Sequence, residues 1–197
     1  MDGKALIIMS NNIFFDLSEL KYCGKNVIIG KTVRIRHPHL VSIGDNCIID
    51  DFTYISGELI LGRGVHIGAN TTFQAGKSSI KIDNYTGISS GCRFFAVSSD
   101  YLASEIDLPT LPIDFPIDNQ STIKKNIEVG EACLIGANSI VLPGVTIPIG
   151  CSFGAASKIS NRNYIEFSFY LNDCKKVIAK RNKHKIIEQL NKLNNYE

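Results

Sequence analysis

The chain has no tryptophan, only two methionines and, among six cysteines, no Cys-x-x-Cys pair. The missing pair argues against a zinc ribbon or a thioredoxin-like redox motif. No apolar run approaches the roughly 20 residues that a membrane span needs. The apolar stretch at Ala5–Met9 is too short for a signal-peptide core, and no small-residue cleavage site follows it. A formal net charge of +2 is too small to argue for a nucleic-acid partner. With 44% hydrophobic and 20% charged residues, disorder is excluded as well. These absences leave a soluble, cytoplasmic protein as the expectation, with no transmembrane segment and no disulfides. Its 197 residues make one ordinary domain with room for a small appendage. What is abundant is isoleucine, 29 residues of it, and β-branched excess favours strands.

The isoleucines are periodic. From Ile43 an aliphatic or Phe recurs every six residues, through Ile49, Ile55, Leu61, Ile67 and Phe73. After a three-residue slip come Ile82, Ile88 and Phe94, and after a longer break Val129, Ile135, Val141, Ile147, Phe153 and Ile159. Ile29 and Ile35 fit upstream. A period of six is neither 3.6 nor 2; it fits a short strand, a corner, then another short strand. Gly or Asn follows many of these aliphatics at the corner positions, as tight corners require. Four places after the aliphatic, small or β-branched residues dominate, including Cys47, Cys92, Cys133 and Cys151; these cysteines read as interior fillers. Leu59 is the misfit in that slot. Three strands make a triangular coil, and coils stack into a solenoid whose core is a column of aliphatics.

Such a solenoid needs its ends covered. Phe14, Phe15, Leu17 and Leu20, within Ala5–Leu20, suit one end. Ile186, Leu190 and Leu193 lie on one face of a helix expected at about Lys183–Asn194, which suits the other end or a side. The expected organisation is a cap segment over 1–24, a solenoid over 25–160 and a C-terminal extension over 161–197. Between Phe94 and Val129 the hexads vanish. Residues 97–125, with Pro109, Pro112 and Pro116, read as a loop ejected from the solenoid, a natural place for substrate or a neighbouring subunit.

The run Ile135-Gly-Ala-Asn-Ser-Ile-Val-Leu-Pro-Gly-Val-Thr-Ile147 resembles the hexapeptide-repeat signature of left-handed β-helix acyltransferases. Gly64-Val-His-Ile-Gly-Ala69 and Ser98-Ser-Asp-Tyr101 resemble segments of the galactoside and maltose O-acetyltransferase-like branch. The resemblance implies an all-β left-handed parallel β-helix with an ejected loop and a C-terminal α-helix. It implies a homotrimer, acetyl-CoA as co-substrate, no metal, and a sugar or nucleotide-sugar acceptor. It places the pantetheine arm along Gly136, Ala137, Gly154 and Ala155, and a CoA phosphate near Lys158. Relatives carry a Gly-Asn-Pro-Ala turn by the adenosine; here the matching stretch is Leu171-Asn172-Asp173-Cys174, so only Asn172 survives. In that branch the catalytic His falls at the position of Ser99.

Acetyl transfer to a hydroxyl needs a base, and histidine suits neutral pH. His184 falls on the basic helix, and His37 and His39 flank Pro38. His66 precedes inward-facing Ile67 at a corner and is the candidate base. Across a trimer interface it would face Ser99, Asp100 and Tyr101, with Asp100 orienting the imidazole or binding the acceptor. Asn84 and Tyr85 stand near a corner one coil later and are further substrate-binding candidates. The leading expectation is an acetyl-CoA-dependent O-acetyltransferase acting on a sugar hydroxyl, as in bacterial surface polysaccharide modification. A neutral amine attacks a thioester without prior deprotonation, so the missing loop histidine also fits N-acetylation of a nucleotide-linked amino sugar. A third alternative is a non-catalytic solenoid that binds or scaffolds.

Overall fold

The structure, a computed structural model, describes residues 12–102, 106, 110–112, 114 and 122–196. The hexads form strands of two or three residues separated by corners, and three strands complete a coil. On the first face, Ile28–Ile29, Ile48–Ile49, His66–Ile67, Gly87–Ile88, Leu134–Ile135, Ser152–Phe153 and Ser168–Tyr170 stack in one parallel ladder. The second face runs from Arg34–Ile35 through Arg93–Phe95 to Lys158–Ile159. The third runs from Tyr22–Cys23 through Val41–Ile43 and Ile127–Val129 to Thr146–Ile147. This is the left-handed parallel β-helix that the resemblance implies. Parallel pairing begins at Tyr22 and ends at Tyr170, so the coils overrun residues 25–160 at both ends.

Alternation decides what each strand buries. In each two-residue strand of the first face the second residue points inward and the first outward. Every residue of the hexad column is buried, from Ile29 to Ile159. Phe73 and Phe94 stack within it, with ring centroids 4.8 Å apart. Burying each such side chain stabilises the fold by about 1.5–3 kcal/mol relative to exposure. The small slot is interior too: Cys47, Cys92, Cys133 and Cys151 are buried free thiols. Their S–H groups reach backbone carbonyls of the next coil at 3.0–3.3 Å.

Two irregularities of the repeat have a common origin. Tyr54–Leu61 and Thr72–Ile82 are continuous strands that bend from the second face to the third instead of breaking at a corner. Between them Ser56 pairs with Gln74 but Glu58 pairs with Ser79, so three extra residues bulge from the longer strand. That bulge is the three-residue slip. Leu59, on the shorter strand, alternates inward along the unbroken bend and is fully buried between Val41 and Ile80. Gly57 sits at the bend with φ +97°, where a β-carbon would come within 2.8 Å of the Gly76 nitrogen.

The ejected segment leaves at this same corner, one coil later. Its base is a short antiparallel ribbon, Val97–Ser99 against Thr122–Lys124. Of the residues singled out in this segment, Pro109 and Pro116 lie outside the described residues, as does Ala5–Met9. At the N-terminal end, Phe15 and Leu20 are buried while Phe14 is exposed. At the other end, Phe153, Tyr164 and Tyr170 form a cluster of rings 5.2–5.3 Å apart. Burial there pushes the Tyr164 hydroxyl up to about 12. The helix, Lys183–Asn194, lies along the side; it buries Leu190 and reaches the Arg63 corner through Asn194 at 2.9 Å.

Candidate active site

The outward row of the first face reads Ile28, Ile48, His66, Gly87, Leu134, Ser152, Phe169, each opposite the next in register. Asp50 follows Ile48 by two residues and so projects from the same face. It is the diagonal neighbour of His66, within reach of a long side chain. Its Oδ2 lies 2.9 Å from His66 Nε2. An ionised carboxylate only accepts, so a neutral ring that donates to Asp50 from Nε2 keeps its lone pair on Nδ1. Both side chains remain open to solvent on about half their surface, 56% for His66 and 43% for Asp50.

The pair stands at the rim of an open groove of about 640 Å³, a size suited to a small-molecule site. Glycine at 87 leaves its floor bare. Ile135 and Gly136 continue it towards the corner, and Ser152 and Phe169 close the far end. Ser89 and Ser90 line it with exposed side chains. The groove therefore joins one polar end, where a proton can be taken up, to an apolar floor.

The expected residues divide. His66 and Gly136 line this groove together. Ala137 and the Gly154–Ala155 corner lie beside and one coil beyond Gly136, outside the lining; a β-carbon on Gly136 would press within 2.4 Å of the Ala155 nitrogen. Lys158 is exposed on the second face, and its N–H donates to the Asn172 carbonyl at 2.7 Å. Asn172 itself turns a corner at φ 56°. Asn84 accepts from the Arg63 N–H at 3.0 Å, and the Tyr85 ring lies under the Arg63 guanidinium at 5.7 Å; both serve corner packing away from the groove.

Ser99, Asp100 and Tyr101 sit where the segment leaves the corner between the second and third faces, and none lines the groove of its own chain. Asp100 accepts from the Leu102 N–H at 3.0 Å, and Tyr101 is exposed. Within the chain, the carboxylate on His66 is Asp50, which the sequence reading did not single out. Coil arithmetic carries the signal: Ile49 and Ile67 occupy equivalent places, so the residue after Ile49 falls diagonally across from His66. His37, His39 and His184 are all exposed and stand off the groove.

A family model described as bacterial transferase hexapeptide (six repeats) matches residues 41–75, the stretch carrying Asp50 and His66. The dTDP-4-amino-4,6-dideoxy-D-glucose acyltransferase of Escherichia coli is 29% identical over 142 residues, 71% of each chain. AntD, an N-acyltransferase from Bacillus cereus solved with dTDP and 3-hydroxybutyryl-CoA, superposes with a TM-score of 0.79 at 29% identity, over 94% of this chain and 98% of that one. A form of AntD with one aspartate replaced by asparagine, solved with dTDP and coenzyme A, is 31% identical over 94% of this chain and 100% of that one, with a TM-score of 0.80. The chain belongs to the hexapeptide-repeat acyltransferases.

This hexapeptide-repeat acyltransferase also shares its fold with a maltose O-acetyltransferase from Clostridium difficile, at 15% identity, a TM-score of 0.53, and coverage of 84% of this chain and 72% of that one. Of the relatives near 30% identity, one is named a dTDP-4-amino-4,6-dideoxy-D-glucose acyltransferase and another an N-acyltransferase, whereas the O-acetyltransferase is alike in fold alone.

Proposed function

We propose that the chain transfers an acyl group from acyl-coenzyme A, acetyl-CoA among the donors, to the amine of a dTDP-linked 4-amino sugar. The observation that carries this is the His66–Asp50 pair at the rim of the groove. The relatives support the acceptor class: AntD was solved with dTDP-4-amino-4,6-dideoxyglucose and coenzyme A. An amine acceptor also accounts for Ser99 at the position where the O-acetyltransferase branch has its histidine.

The neutral amine attacks the thioester carbonyl. The C–N bond forms, the nitrogen becomes positive, and His66 Nδ1 takes its extra proton. Asp50 holds the ring and favours the imidazolium that results. Collapse of the tetrahedral adduct breaks the C–S bond, and the proton passes to the departing sulfur. Pantetheine lies along Gly136, Ala137, Gly154 and Ala155, with Lys158 and Asn172 towards the phosphate and adenosine end.

The working form is a cytoplasmic homotrimer, in which Ser99, Asp100 and Tyr101 of one subunit meet the acceptor at a neighbour's groove. AntD variants have been made at a serine and at an aspartate ten residues further on. Ser90, in the groove, and Asp100 stand ten apart here, which supports a substrate contact for both.

The test is thiol release from acetyl-CoA and 3-hydroxybutyryl-CoA with dTDP-4-amino-4,6-dideoxyglucose, with the product read by mass spectrometry. An amide, stable to mild hydroxylamine, is expected, and His66→Ala should cost about 100-fold or more in kcat. Release no faster than without acceptor would refute the proposal. A hydroxylamine-labile ester on a sugar hydroxyl would restore O-acetylation.

A further inference from the structure

One missing side chain interrupts the outward row of the first face. Gly87 stands opposite His66 on one side and Leu134 on the other. It does not have a positive φ, so the backbone there makes no demand for glycine. The corner glycines are different: added β-carbons at Gly30, Gly44, Gly62 or Gly68 would strike neighbouring atoms within 2.4–2.7 Å. At Gly87 a β-carbon would meet a single atom, Leu134 Cδ2, at 3.2 Å. A glycine inside a strand weakens it and marks a close approach to something else. What it leaves here is a shallow notch in the groove floor between His66 and Leu134, with Leu134 Cδ2 leaning over its far side.

We infer that this notch receives the carbon chain of the donor's acyl group, that Gly87 and Leu134 set its length, and that the preferred donor carries four carbons rather than two. The inference rests on acyl transfer at His66 as proposed above. The reacting carbonyl must lie within reach of the amine that His66 deprotonates. On one side of His66 stand Ile48, its register partner, and diagonally the Asp50 carboxylate, which meets the ring and keeps that side polar. On the other lies the notch, with Leu134, itself 49% exposed, as its far wall. An acetyl group ends at its methyl and leaves the notch empty. A butyryl chain extends into it.

The experiment compares kcat/KM for acetyl-, propionyl- and butyryl-CoA at fixed acceptor, in the wild type and in two variants. A methylene lodged in an apolar pocket is worth about 10- to 200-fold. The wild type should therefore prefer butyryl-CoA to acetyl-CoA by at least about 10-fold. Gly87→Ala pushes a methyl group against Leu134 and should lower that ratio by about 10-fold. Leu134→Ala removes an exposed side chain, leaves the core untouched, and should shift the preference towards hexanoyl-CoA. Turnover that favours acetyl-CoA in the wild type, or variants that lower all donors equally, would overturn the notch while leaving acyl transfer standing. No turnover with any donor would overturn both.

Discussion

Asp50→Asn isolates the link between the fold and the proposed chemistry. The substitution keeps the shape, and Asp50 lies outside the core, so the coil is unaffected. It removes a charge-assisted hydrogen bond worth about 1.5–3 kcal/mol. Asp50 and His66 are each about half exposed, and solvent screens such a pair, which halves the figure to about 0.75–1.5 kcal/mol. At 1.36 kcal/mol per decade this predicts a loss of roughly 3- to 13-fold in kcat. The asparagine amide can also donate to Nε2, which moves the ring proton to Nδ1 and blocks the base in that fraction of molecules. The loss should fall on kcat with the donor KM little changed, because the carboxylate acts on the proton and not on coenzyme A. The assay is thiol release at saturating acceptor, with thermal unfolding confirming an unchanged fold. A variant within twofold of wild type in kcat would show that Asp50 does not orient His66 for catalysis.

Three further outcomes follow from the geometry. Ile67 is fully buried between Ile49 and Ile88, so Ile67→Ala should cost about 2–5 kcal/mol in urea unfolding, and a change under 1 kcal/mol would mean that the column relaxes. The Thr32 hydroxyl donates to Asp51 at 2.6 Å and, with the Thr32 N–H, holds that carboxyl below its usual 3.8. Stability from a depressed carboxylate is present above its unfolded value and lost as pH falls through the folded one. The melting-temperature gap between wild type and Thr32→Val should therefore be open at pH 7 and close below pH 3.8; a gap independent of pH contradicts this. Burial pushes the Cys133 thiol up to about 12, so at pH 8 iodoacetamide should label half-buried Cys23 first and Cys133 only in urea. Native labelling of Cys133 at the rate of a peptide thiol would argue against that burial.

The sequence made the column legible because burial in a solenoid repeats. Each inward position sees the same neighbours a coil above and below, so Ile43, Ile49 and Ile55 announce one another. The helix was legible for a similar reason, its apolar stripe marking Lys183–Asn194; the cap by the Asn182 side chain is seen in the structure. Leu59 was not, because a strand that runs unbroken through a corner buries a large side chain in a slot that elsewhere holds a small one. The site was half legible. His66 stood out as the one histidine inside the main hexads. Asp50 came from register between coils, and Gly87 holds the outward strand place before Ile88, where a missing side chain gives no periodic signal. The acceptor side resists the sequence for a different reason: Ser99, Asp100 and Tyr101 leave the lattice of repeats, and no periodicity specifies where a departing segment goes.

The ejected segment has a consequence for how the site comes into being. His66 and Gly87 belong to coils wound before it, and Leu134 and Ser152 to coils wound after it. Thr86 and Cys133, in contact across this junction, are 47 residues apart, against 21 for Arg63 and Asn84 at an ordinary one. Closing the longer ring costs only about 0.7 kcal/mol more by loop entropy. The two stacks are held together by ladder bonds and core packing rather than by the connecting chain. A chain opened within the segment should thus yield two fragments that recombine, and the groove would form only when they do.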